Sequence, residues 1–205
     1  MRIDKYHVSL EAGGIYHVFN RANNDQDLLF VKKENYYFFL ERYAKYLRPF
    51  VDTYAYCLIP NHFHLLIEVK PETEIRAYLE KQLEWKKMRS APISLVLSEA
   101  FRRLFVSYAK SLRKTYVRRG SVFQREFGRT RIDTEHYFYT EVFYIHNNPI
   151  KHGLASSLED YPWSSYLPIL YGLSYYNDWL CRQKMLEWFD GEENFKLFHR
   201  RNGVS

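Results

Sequence analysis

Two histidines one residue apart, His62 and His64, sit in the run Pro60-Asn61-His62-Phe63-His64-Leu65-Leu66-Ile67-Glu68-Val69. Successive side chains of a strand point to opposite faces, so His62, His64, Leu66 and Glu68 share one face and Phe63, Leu65, Ile67 and Val69 the other. The second set is wholly apolar and belongs on a core. The first presents two imidazoles side by side, an arrangement in which neutral histidines can hold one metal ion. The same pattern also fits a strand whose outer face is merely polar.

Further along, the spacing predicts a helix over 134–148, with Asp133 placed to cap its first-turn amides and Pro149 to stop it. On that helix Tyr137, Glu141, Tyr144 and Asn148 form one stripe, and Phe138, Val142 and Ile145 an adjacent apolar one. Docking the apolar stripe on a sheet leaves Tyr144 and Asn148, at i and i+4, standing side by side. In a chain with 19 tyrosines, Tyr144 alone would read as one more core residue. Beside a histidine pair it becomes a candidate nucleophile.

The elements that must bring these residues together are legible in outline. Gly13-Gly14 introduces a short β-type run over 15–19, ended by the loop chemistry of Asn20 to Asp25. Tyr36, Phe39, Leu40, Tyr43 and Leu47 recur at helical spacing over 33–47. A strand over 51–59 turns at Pro60-Asn61 into the histidine strand, making an antiparallel hairpin. A polar stretch runs to Pro92, an amphipathic helix covers 95–116, and Val122-Phe123-Gln124 reads as a fourth strand. Two right-handed crossovers around a hairpin give an α+β, ferredoxin-like (RRM-like) split βαβ antiparallel sheet, with helices on one face and a helical C-terminal tail. His17 then neighbours His62 and His64. We expect a catalytic domain over 1–158 and an aromatic helical tail, 159–205, packed on it; whether the 134–148 helix docks on its own sheet or on a second copy's is open.

Composition points to a polyanionic partner. Across 205 residues Lys and Arg outnumber Asp and Glu by 30 to 24, a formal charge of +6. Between Arg102 and Arg131 ten basic residues face the single acid Glu126, a run suited to backbone phosphates, although part of it fits a solvated helix face. Arg118, Arg119 and Arg129, at a glycine turn and a strand end, are the preferred contacts, with His17 and Arg21 on the neighbouring side of the sheet. Aromatic residues make up 19% of the chain; most should fill the core, leaving some to stack on unpaired bases. The two cysteines, Cys57 and Cys181, lack metal-ligand spacing and suit a reducing cytoplasm. Without an apolar N-terminal stretch or a run of about 18 apolar residues, the chain is expected to be soluble, unprocessed and free of the membrane.

The run from Pro60 to Ile67, together with Tyr144-Ile145-His146-Asn147-Asn148-Pro149-Ile150-Lys151-His152-Gly153-Leu154, resembles the single-tyrosine HUH transposases, specifically the REP-associated tyrosine transposase branch. The likeness extends to Tyr16-His17-Val18-Phe19-Asn20-Arg21, to Val122-Phe123-Gln124 and to Asp160-Tyr161-Pro162-Trp163-Ser164-Ser165-Tyr166, and so covers most of the chain. It departs at Gln124-Arg125-Glu126-Phe127, where the family commonly has small residues and arginine. The resemblance implies that His62, His64 and Asn148 hold a divalent ion and that Tyr144 is the nucleophile. With no cysteine and one amide oxygen in that set, Mg²⁺ or Mn²⁺ suits turnover better than structural zinc. It implies an enzyme that cuts and rejoins single-stranded, hairpin-folded DNA through a 5′-phosphotyrosine link, as a monomer or homodimer. The alternatives are a domesticated hairpin-binding protein without cleavage, a replication initiator or relaxase, for whose further regions the chain has little room, and a metal-dependent hydrolase without DNA, which leaves the basic run unexplained.

Overall fold

The computed structural model describes residues 7–24, 28–116, 120–172 and 179–203. Its strands are β1 (Ile15–Arg21), β2 (Val51–Ile59), β3 (His62–Val69) and β4 (Gly128–Ile132). They form one sheet of order β2-β3-β1-β4 with every neighbouring pair antiparallel. This is the split βαβ arrangement: β1 and β3 are central, and the hairpin β2-β3 turns at Pro60-Asn61. Helix α1 (Lys33–Leu47) connects β1 to β2, and α2 (Glu72–Lys81) and α3 (Ile93–Thr115) connect β3 to β4. After β4 come α4 (Glu135–Lys151), α5 (Tyr166–Tyr171), α6 (Arg182–Trp188) and α7 (Glu192–Asn202).

The alternation in β3 divides the core in two. Phe63, Leu65, Ile67 and Val69 join Tyr16 and Val18 of β1 against α1 and α3. Leu66 of the opposite face joins Tyr54, Cys57 and Ile59 of β2 against Phe138, Val142 and Ile145, the apolar stripe of α4. Tyr166, Ile169, Met185 and Phe195 from α5, α6 and α7 complete that second cluster. Both faces of the sheet are therefore covered, and α4 lies on the sheet of its own chain, with the tail helices packed against it. Among the described residues no helix is long and apolar enough to cross a membrane.

Three local expectations need correction. The fourth strand is Gly128–Ile132; Val122 and Phe123 are buried, with only an isolated bridge from Phe123 to Ala22. Their apolar, β-favouring character serves the core, whereas the true edge strand, Gly-Arg-Thr-Arg-Ile, carries little hydrophobic pattern. Thr134, not Asp133, caps α4: its hydroxyl accepts from the amide of Tyr137 at 3.2 Å. Pro149 does not stop the helix, which continues to Lys151. A proline removes one helical hydrogen bond and crowds the preceding turn, but Ile145, Asn148 and Pro149 are all buried, and that packing holds the last turn in place. The polar stretch before Pro92 contains α2 and a 3₁₀ turn, Leu83–Met88.

Candidate active site

Antiparallel register sets the floor of the site. His64 lies opposite Phe19 of β1 and Cys57 of β2, and His62 opposite Arg21 and Ile59, so both imidazoles face α4. Their rings are 5.0 Å apart and nearly perpendicular. Nδ1 of His62 is 2.8 Å from Oδ1 of Asn61, and its Nε2 is 3.2 Å from Oδ1 of Asn148. Burial first, then the neighbouring His152, pushes the pKa of His62 down to about 4. A neutral imidazole has one N–H, so it can donate to one of these two amide oxygens but not both. The remaining nitrogen holds its lone pair against an oxygen.

His64 is 5% exposed. Its Nδ1 is 2.8 Å from Nε2 of His17, while its Nε2 is buried without a hydrogen-bond partner. Nδ2 of the fully buried Asn148 is likewise unpartnered. Native proteins seldom leave such groups unsatisfied unless something else occupies the site. Burial, with His17 and His62 nearby, holds the His64 pKa well below its ordinary value, so both imidazoles are in the neutral form that ligates metal at pH 7. Two ring nitrogens, one of them orphaned, and an amide oxygen fit a divalent cation that retains water ligands.

Tyr144 stands over this floor, its ring 5.3 Å from that of His64 and 6.0 Å from that of His17. Burial raises its pKa; the Asn148 amide acts in the opposite direction and Glu141 adds to the rise. The hydroxyl is therefore protonated in the free protein. Lys151, two turns along α4, places its ammonium 5.1 Å from the Tyr144 ring centre, and the His152 ring lies 5.0 Å from that of His62. On the β1 and β4 side of Tyr144 and His64 opens a cleft of about 340 Å³, lined by these two with His17, Glu141, Phe19, Tyr137, Thr130 and Thr140. Gly128 helps to shape it, since a Cβ there would fall 2.2 Å from the Phe19 ring.

The expected residues thus fall into groups. His62, His64, Tyr144 and Asn148 converge. Arg21 is on the same face, next to His62. His17, expected as a DNA contact, is buried, with Nδ1 2.8 Å from Oε1 of Glu141 and Nε2 on His64. Arg129 pairs with Val18, whose side chain is in the α1/α3 core; it therefore points away from the histidine face, where its guanidinium donates to the Val8 carbonyl and packs over Phe127. Arg118 and Arg119 lie outside the described residues. Within the basic run, Arg102 and Arg103 both bind Glu99, and Arg131 binds Glu11. Lys151 and His152 were missed because the helix was ended at Pro149; continuing its period by two turns from Tyr144 reaches Lys151. Glu141 was placed on the right stripe without a role.

No protein-family model matches the chain. It is 27% identical over 131 residues to “Putative REP-associated tyrosine transposase” of Haemophilus influenzae, an alignment covering 64% of this chain and 67% of that one. Its fold is similar to that of a solved REP-associated tyrosine transposase bound to a REP hairpin, with a TM-score of 0.59 and 17% identity over 83% of this chain and 88% of the other. The resemblance read from the two motifs thus has a counterpart in a named relative and in a shared fold.

Proposed function

From that resemblance we propose that the protein is a transposase of the REP-associated type, which binds hairpin-folded DNA and cuts and rejoins a single strand through Tyr144. The observation that carries the reading is the buried, unpartnered Nε2 of His64, set with His62 and Asn148 beneath the Tyr144 ring. His62, His64 and Asn148 would hold Mg²⁺ or Mn²⁺, which supplies Lewis-acid polarisation of a phosphate oxygen and offsets charge in the transition state.

The chain's own residues perform the remaining work. The phenolic oxygen of Tyr144 bonds to phosphorus as the bond to the 3′-oxygen breaks; its proton is lost and the departing 3′-oxygen gains one. The product is a 5′-phosphotyrosine and a free 3′-hydroxyl. Because the phosphodiester energy is retained, attack by another 3′-hydroxyl restores Tyr144 and joins strands without ATP. Lys151 and Arg21 attract the phosphates flanking the break. Phe19 and Tyr137, at the cleft wall, offer ring faces to an unpaired base. Incubation with single-stranded hairpin DNAs and Mn²⁺ tests the reading. A covalent adduct mapped to Tyr144 supports it; hairpin binding without an adduct would make the protein a binding module.

A further inference from the structure

We propose that Glu141 and His17 are positioning residues: through two hydrogen bonds in series they fix His64 as the Nδ1–H tautomer and so present its Nε2 lone pair to a metal ion. The inference rests on the metal reading above and adds an orienting chain drawn from three elements. Oε1 of Glu141 on α4 is 2.8 Å from Nδ1 of His17 on β1, and Nε2 of His17 is 2.8 Å from Nδ1 of His64 on β3. The side chains of Glu141 and His17 are 9% and 8% exposed, so water competes little for either bond.

The direction of each bond follows from donor inventory. An ionised carboxylate only accepts, so Nδ1 of His17 carries the proton. A doubly protonated His17 would donate from Nε2 as well; with a single proton its Nε2 accepts, and the proton between the rings sits on Nδ1 of His64. That assignment leaves Nε2 of His64 as a bare lone pair, at the atom that is buried and unpartnered. With the opposite arrangement, that nitrogen would carry a buried N–H with no acceptor, which costs free energy and is useless to a cation. Ligating histidines are commonly oriented by a carboxylate on the far ring nitrogen; here a second imidazole extends the reach from α4 to β3. Glu141 is also one helical turn before Tyr144, so a single helix turn sets both nucleophile and ligand orientation.

The test uses the full chain with ¹⁵N-labelled histidine, stripped of metal, at neutral pH, where two-bond ¹H–¹⁵N correlations identify each tautomer. In the unsubstituted protein His64 should be the Nδ1–H form; an Nε2–H form overturns the proposal without any variant. Glu141→Leu should leave His64 a mixture of tautomers and weaken Mn²⁺ binding, measured by calorimetry or electron paramagnetic resonance, by about 10–100-fold. Glu141→Gln, which keeps an acceptor oxygen and the side-chain size, should restore most of both. A pure Nδ1–H His64 with unaltered Mn²⁺ affinity in folded Glu141→Leu would reduce the pair to packing. If the unsubstituted protein binds no Mn²⁺, the metal reading fails on its own, while the tautomer comparison still decides whether Glu141 orients His64.

Discussion

His146 on α4 and His199 on α7 are joined by a 2.9 Å hydrogen bond between Nδ1 of the first and Nε2 of the second, each residue 1% exposed. The other nitrogen of His146 bonds to Ser165 Oγ at 2.7 Å, and Nδ1 of His199 donates to the Phe195 carbonyl at 2.8 Å. Ser165 in turn accepts from the amide of Tyr56 on β2. One polar chain thus runs from β2 through α4 to the tail helix α7.

Acid should loosen that chain. Burial holds the pKa of His199 down at about 4, against an ordinary 6.5, so between those values the unfolded chain takes up a proton that the folded one refuses. Stability is therefore full above pH 6.5 and falls as pH drops towards 4, by up to about 3 kcal/mol for this group. Urea midpoints at pH 7.5 and 4.5 should show the fall. His199→Gln should flatten its slope; an identical slope would place the acid sensitivity elsewhere.

Tyr144→Phe should abolish adduct formation, lowering cleavage by about three orders of magnitude or more, because no other group replaces the nucleophile. Hairpin affinity in a gel-shift assay should barely change, since the ring still packs on His64. An adduct that persists, or one mapped to Tyr137, would reassign the nucleophile.

Adjacent residues of β3 should fail in different ways. His64→Ala should eliminate Mn²⁺-dependent cutting; it also breaks the hydrogen bond to His17 and so lowers the melting temperature, but by less than the loss of a phenyl ring from the core. Phe63→Ala empties a fully buried position among Phe39, Phe105 and Phe123 and should cost about 3–5 kcal/mol of stability. Equal thermal destabilisation with intact cleavage in both would mean that the histidine face is only polar surface.

Arg21 and Arg129, the expected DNA contacts among the described arginines, separate by face. Arg21→Ala should weaken hairpin binding and reduce the log–log salt slope by about 0.7–0.9, the contribution of one phosphate contact. Arg129→Ala should leave that slope unchanged and instead lower thermal stability, because its guanidinium is committed to the Val8 carbonyl and the Phe127 ring. The opposite result, with the larger slope change for Arg129, would put the DNA on the α1/α3 side.

The site was legible where side-chain period and chemistry coincide. His62 and His64 read from a two-residue alternation bordered by an apolar face, and Tyr144 with Asn148 from a four-residue step. The sheet order followed from the order of elements, because short antiparallel and crossover connections leave few topologies. What failed depended on long-range packing. Val122 and Phe123 looked like a strand but fill the core, and β4 hides behind arginines that face α1 and α3. Pro149 obeyed a local rule that burial overrides, which concealed Lys151. The function of His17 could not be read from β1, since it exists only through Glu141, far away in sequence.

Because α4 docks on the sheet of its own chain, the two imidazoles, the amide, the phenol and the lysine of the proposed chemistry all belong to one molecule. Cleavage per molecule should then be independent of protein concentration, with no loss on dilution and no rescue when a histidine-deficient copy is mixed with a tyrosine-deficient one. Such a protein would break a strand as a solitary copy, and any need for pairing would come from the DNA it must join rather than from its own chemistry.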